Sequence, residues 1–425
     1  MYALEPRAAL TAVEEPDAYG GQPPWWEEAM AARPAGEPDF LAVETLAARI
    51  KAAGLSDDHC QPLAEMARTV AADPALKSLA WYLFWRVFRA PEKGCPWGAP
   101  SLLKRLGKQA GLFYELLALE FPARLYAYHQ TLGYPAEVTE ETIKQIASFE
   151  GNHLRGCGTM GIYERQFPWL AAYLTQPYVR LGRLEYQLHP YGGGVHVWRR
   201  LSDGAVLALA EDGACATAEG LLLPREASAD EGWTATFRES EEEVHGHPIA
   251  PTGYISREPV RLLKAYWAPY LRRGDTVLDL HIPAGGGMDW STVVVSFNRA
   301  LAFFRKHHPD QHWRALVVQT WFMDPRLNEV LPPTSNPLRF QRSVYLYPTP
   351  ADPESLWFIF LRPLRQTPVG ELPAETSLQK ALIKFLADGR QWHGGGMFIL
   401  PEHMAKPEDN FYREQYARAM MALNA

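Results

Sequence analysis

The stretch "LDLHIPAGGGMDWSTVVVSFNRALAFF", Leu278 to Phe304, reads as strand, glycine turn and helix. In "LDLHIP" alternation puts Asp279 and His281 on one face and Leu278, Leu280 and Ile282 on the other. Asp289 stands where a helix N-cap belongs, and Trp290, Val293, Val294, Phe297, Leu301 and Phe304 follow at spacings of three and four. That spacing predicts a helix with an apolar stripe laid against a sheet. Between them, Gly285, Gly286 and Gly287 leave two readings open. Bare backbone next to a helix start lets a ligand phosphate approach closely, and the same residues serve as a plain turn. The loop holds no Lys or Arg, and "PAGGGM" fits neither the nucleotide P-loop nor GxGxxG. Glycine triplets recur at 192–194 and 394–396, so the triplet alone decides little. Asp279 beside His281 also reads two ways: a general base with its orienting carboxylate, or a polar pair on a half-buried sheet face.

Working outward, residues 1–38 are rich in Pro, Gly, Ala and Glu and read as an extended arm, with Trp25 and Trp26 available to pin it. Residues 39–135 carry helical periodicity, and "PALKSLAWYLFWRVFRA" is apolar on most sides, as a central helix is. From residue 136 a linking segment leads into a third part that runs to 425. After 178 the period shifts to two, with short strands at "YVRLGRLEYQLHP", "GVHVWRRL" and "AVLALA". "EPVRLLKAYWAPYL" reads as a helix, and "RFQRSVYLYP" and "LWFIFLRPL" as strands. The fold class is therefore α/β in the wider α+β sense: a helical N-terminal domain followed by a mixed-sheet domain.

Composition narrows the function. The 425 residues carry a formal charge of -7 and no basic run, which gives no electrostatic footing for nucleic acid or an anionic membrane. No apolar stretch reaches 18 residues and no basic-then-apolar leader opens the chain, so a cytoplasmic protein is expected. Cys60, Cys95, Cys157 and Cys215 are widely spaced and form no CxxC pair, against a disulfide framework or a structural zinc site. "EEEVHGHP" offers Glu241, Glu242, Glu243, His245 and His247, which read as a solvated charge run; a metal-dependent hydrolase centred there is the weaker reading, and no metal is expected. There is no GxSxG elbow, and Ser296 falls inside the predicted helix.

"LGRLEYQ" (181–187), "HIPAGGGMDWSTVVVSFNRALAFF" (281–304) and "TWFMDPRLNEVLPPTSNPLRFQ" (320–341) occur in this order behind a helical half. Together they resemble bacterial acyltransferase domain-containing proteins, which join a helical N-terminal domain to a GNAT-like C-terminal domain. The resemblance implies an N-acyltransferase that uses acyl-CoA or acetyl-CoA as cosubstrate and an amine of a small molecule or peptide as acceptor. In that fold a strand runs into a loop that takes the coenzyme A pyrophosphate, and the next strand diverges to leave a V-shaped gap for the pantetheine arm. "LDLHIP" would be the first strand, Gly285–Gly287 the loop and "ALVVQTWFM" the diverging strand, with Trp321 at the cofactor. The family loop usually opens with Gln or Arg, which this chain lacks. His281 oriented by Asp279 is the expected base, with Glu185 second. A GNAT-shaped module that binds a ligand or partner without catalysis is the alternative, and the sequence leaves oligomeric state open.

Overall fold

The computed structural model describes residues 4–93, 99–224 and 231–424. The chain divides into two compact units, residues 1–185 with 282–286, and residues 186–281 with 287–425.

The first unit is helical. Its helix Pro74–Phe84 starts at Asp73, whose carboxylate accepts the N–H groups of Ala75 and Leu76, with Pro74 at the first helical position. Only Pro74 and Lys77 escape burial along it, as the sequence predicts for a central helix. It continues into a π-helical turn, Trp85–Arg89. The helix Ala110–Ala118 is buried along its whole length, Glu115 included. The expectation of an extended arm over residues 1–38 needs correction. Pro6–Ala12 and Trp26–Ala31 are helices, and Ala9, Leu10, Trp26 and Ala29 sit in the core. Each is too short to be stable alone, so packing and not local propensity creates it. The segment from residue 136 carries the helices Ala136–Ile143 and Gln145–Cys157. The unit ends in the strand Tyr178–Leu181, which turns at Gly182, a left-handed residue, into Leu184.

The second unit holds two larger sheets. One orders its strands as Leu184–Pro190, Thr276–His281, Leu316–Thr320, Gly395–Ile399 and Tyr345–Pro348. Strands Thr276–His281 and Leu316–Thr320 are parallel, and the helix Trp290–His307 connects them. Asp289 caps that helix as the sequence predicts, accepting from the N–H groups of Ser291 and Thr292. The buried stripe is Trp290, Val293, Ser296, Phe297, Ala300, Phe303 and Phe304. Ser296 is buried in it, 2.8 Å from the Tyr186 hydroxyl. The other sheet is antiparallel, in the order Tyr254–Ile255, Pro248–Ala250, Val206–Ala210, Val195–Arg200, Trp267–Leu271.

The segment expected as a helix at "EPVRLLKAYWAPYL" is two strands, Val260–Leu263 and Trp267–Leu271. Val260 and Leu262 are buried while Arg261 is exposed, a period of two, and the partners lie far back in the chain, at Gly246 and Val244 for the first strand and Arg200 for Trp267. "RFQRSVYLYP" divides into the helix Asn336–Arg342 and the strand Tyr345–Pro348, and Trp357–Phe360 is one helical turn where a strand was expected.

Candidate active site

The two parallel strands pair only briefly. Leu278 stands opposite Leu316 and Asp279 opposite Val317, and there the register ends. Beyond those two pairs, Val318, Gln319 and Thr320 have no register partner on that edge among the described residues. On its far edge the Leu316–Thr320 strand stays paired to its last residue, where Thr320 meets Gly395. The register along this edge therefore stops short of the C-terminal end of the Leu316–Thr320 strand.

Register assigns the side chains of one face. Asp279 and Val317 share it, so His281 and Gln319 do too, and Gln319 stands opposite Gly396, which stands opposite Tyr347. The sequence pairing of Asp279 with His281 is present: His281 Nε2 lies 3.6 Å from Asp279 Oδ2, with both side chains about a quarter to a third exposed. That is ion-pair range and longer than a hydrogen bond. Burial raises the Asp279 carboxyl above its usual range, opposed by the charges of His281 and His189. Burial lowers the His281 imidazole, opposed by Asp279. A neutral imidazole next to a carboxylate is the form a general base needs.

Two glycine triplets shape this face. A Cβ on Gly396 would stand 2.2 Å from the Tyr347 ring, so only glycine lets Tyr347 lie across that strand. Gly194 holds φ at +115°, close to Gln319, Tyr347 and Tyr191. The Gln319 amide lies 3.4 Å from both the Tyr347 hydroxyl and the Gly193 carbonyl oxygen. Burial pushes the Tyr347 hydroxyl up to about 12.

In the first unit, Gly285 and Gly286 both hold left-handed φ, at +80° and +68°. Arg183, from the turn before Leu184, donates through Nη1 to the Pro283 carbonyl at 2.9 Å and through Nη2 to that of Gly286 at 3.5 Å. The basic group absent from the loop sequence thus arrives from about a hundred residues upstream. Nothing local marks it, although "LGRLEYQ" contains it. Glu185, two residues on, is enclosed, and its carboxylate accepts a 2.6 Å hydrogen bond from Tyr173, whose ring stacks on Tyr178. Burial raises this carboxyl to about 7 against the pull of Tyr173, Arg180 and Arg183. Perturbed carboxyls of this kind cluster at functional sites.

Trp321 begins a helical turn directly after Thr320, and its carbonyl accepts from the Trp392 indole at 3.1 Å. Asp324, from the same sequence segment, is structural. Fully buried, it accepts from the N–H groups of Arg326, His393 and Gly394 and from the Arg326 guanidinium. It fixes the chain entering the strand Gly395–Ile399. The histidines of "EEEVHGHP" are engaged separately, His245 with Glu243 and His247 with the Ser256 carbonyl. Among the described residues no group of three His, Cys, Asp or Glu side chains is arranged to hold a metal ion. Among the described residues Cys60, Cys157 and Cys215 form no disulfide, and Cys95 lies outside the described residues. Among the described residues no helix is long and apolar enough to cross a membrane.

Residues 178–398 match the family model of the GNAT-like C-terminal domain, and residues 44–175 match that of the N-acyltransferase N-terminal domain. Among solved structures, the chain is similar to an acyltransferase mutant in complex with octanoyl-CoA, at 21% identity and a TM-score of 0.62. It is also similar to an acyltransferase in complex with decanoyl-CoA and teicoplanin, at 22% identity and a TM-score of 0.61. Each likeness covers 93% of this chain and 99% of the other. At these identities they show a shared fold. No curated protein matches.

Proposed function

Because the chain belongs to the GNAT-like C-terminal domain family, we propose that it is an N-acyltransferase moving an acyl group from acyl-CoA to an amine of a small molecule or peptide. The observation that supports this reading is that the register between the strands Thr276–His281 and Leu316–Thr320 runs for two pairs only. A parted strand edge offers an extended thioester arm the backbone groups that a neighbouring strand otherwise takes.

In this reading the neutral amine attacks the thioester carbonyl carbon. A C–N bond forms, the oxyanion of the tetrahedral intermediate is met by backbone N–H groups on the parted edge, the C–S bond breaks, and CoA leaves as the thiolate. The attacking nitrogen gives up a proton to a base, for which His281 and Glu185 are the candidates. Positioning two reactants in line supplies much of the acceleration. Gly285–Gly287 take the CoA diphosphate, with the Arg183 guanidinium supplying the cation, and Trp321 lies along the bound cofactor. The acyltransferases of similar fold, solved with acyl-CoA and with teicoplanin, support an acyl-CoA donor and an acceptor of small-molecule or peptide kind.

Isothermal titration with CoA, acetyl-CoA and decanoyl-CoA, followed by thiol release on addition of an amine panel, tests the reading. Heat on binding and thiol release that depends on amine are expected. Absence of heat with every donor at millimolar concentration sinks it. Heat without thiol release favours the non-catalytic module, for which the missing Gln or Arg at the head of the loop speaks.

A further inference from the structure

The helical unit contains a cavity of about 340 Å³. This lies at the small end of ligand pockets, which run to roughly 1,000 Å³. One wall is aromatic: Trp81, Phe84 and Trp85, all nearly buried, come from the Pro74–Phe84 helix and the π-helical turn after it. The Trp81 and Phe84 rings stack at 5.8 Å, Phe40 packs 4.7 Å from Phe84 and Lys93 lies 5.5 Å from the Trp85 ring, and the Trp81 indole N–H is already spent on the Ala29 carbonyl. Pro34 and Pro38, from the segment before Asp39, add rigid apolar surface to the lining.

Charged groups complete the lining: Asp39, Glu120 and Arg89. Glu120 is taken by Arg124 at 2.7 Å. Arg89 and Asp39 are exposed, and among the described residues neither forms an ion pair with any partner. Asp39 feels the charge of Arg49, but that guanidinium spends its hydrogen bonds on the Phe40 and Ala42 carbonyls. The Arg89 guanidinium lies 5.9 Å from the centre of the Phe84 ring, which places the cation on the side that bears the rings. The π-helical turn that sets Arg89 is a feature found often at functional sites.

A cation and an anion that form no ion pair, in one lining with three aromatic side chains and two prolines, match a ligand carrying both charges and a ring. We propose that this cavity binds a small aromatic zwitterion of the size and kind of an aromatic amino acid. Its ring packs on Trp81, Phe84 and Trp85, its carboxylate meets Arg89, and its ammonium meets Asp39. The site stands independently of acyl transfer.

The full chain is titrated with L-phenylalanine, with phenethylamine, which lacks the carboxylate, with 3-phenylpropionate, which lacks the ammonium, and with L-alanine, which lacks the ring. Calorimetry and tryptophan fluorescence are the readouts, and decanoyl-CoA binding is measured in parallel. L-Phenylalanine is expected to bind, each analogue roughly tenfold or more weaker. Arg89→Ala and Asp39→Ala, both at exposed positions, are each expected to weaken L-phenylalanine by about the same factor while leaving decanoyl-CoA binding unchanged. Arg89→Ala is expected to leave phenethylamine unaffected. The proposal is overturned if L-phenylalanine gives no signal at tens of millimolar, if the analogues bind equally well, or if neither variant changes its affinity.

Discussion

His281 and Glu185 are held so differently that a pH profile separates them as candidate bases. His281 is about a quarter exposed, burial lowers its imidazole from the ordinary histidine range, and Asp279 at 3.6 Å opposes that. Glu185 is enclosed, and burial raises its carboxyl to about 7. A general base works deprotonated, so kcat/KM rises with pH through the pKa of the group that acts. With His281 as base, the acid limb falls below the usual histidine value near 6.5. With Glu185 as base, it falls near 7. His281→Gln and Glu185→Gln, profiled from pH 5 to 9, decide the matter: the true base loses roughly 10²–10⁴ in kcat/KM and its acid limb with it. The other variant keeps the limb in place. Two unchanged profiles remove both residues from the proton transfer.

The strand–turn–helix at 276–307 was legible because its signals are local: alternation in "LDLHIP", a capping Asp289, and apolar residues at helical spacing. The strands at 260–271 were not. Their apolar residues suit either period, and the choice is made by pairing with Val244, Gly246 and Arg200. The site divides along the same line. That Asp279 and His281 share a face follows from alternation, whereas Arg183 reaches its loop across about a hundred residues and Tyr347 reaches Gln319 across a neighbouring strand. The glycine triplet at 394–396, which decides little as sequence, is where that second contact becomes possible. A Cβ on Gly396 would stand 2.2 Å from a fully buried Tyr347 ring. Gly396→Ala therefore forces the ring off the strand, at about 1–3 kcal/mol for overpacking. Urea unfolding is expected to show that loss. Decanoyl-CoA titration is expected to show weaker binding, because Gln319, beyond the last register pair of that edge, loses its neighbour. Unchanged stability and affinity together would mean that the ring has room to move and does not shape the proposed site.

At the scale of the molecule, pH acts on stability through carboxyls the helical unit has enclosed. Glu115 is fully buried, and burial first, then the charge of Glu150, raises its pKa to about 8. Glu185 is raised to about 7. For an acid whose folded pKa lies above its unfolded value near 4.5, the folded state holds the proton more tightly. The resulting stability is fully present below that unfolded value and is lost as pH rises through the folded one. The window for Glu115 therefore runs from about 4.5 to about 8. Each pKa unit is worth about 1.4 kcal/mol, so the loss amounts to a few kcal/mol at most, relaxation of the site reducing it. Glu115→Gln keeps the shape of the protonated acid and cannot ionise. Urea unfolding at pH 5, 7 and 8.5 is expected to give parent and variant similar midpoints at pH 5 and a rising advantage for the variant above pH 7. The rival arrangement is an ion pair with His59, whose Nε2 lies 3.3 Å from Glu115 and 3.8 Å from Glu150. There the carboxylate is the stabilised form, and removing its charge destabilises the protein at pH 7, because a buried partner loses its counter-charge. The sign of the difference at pH 7 and 8.5 therefore tells a protonated acid in a closed helical core from a charge pair that holds three helices together.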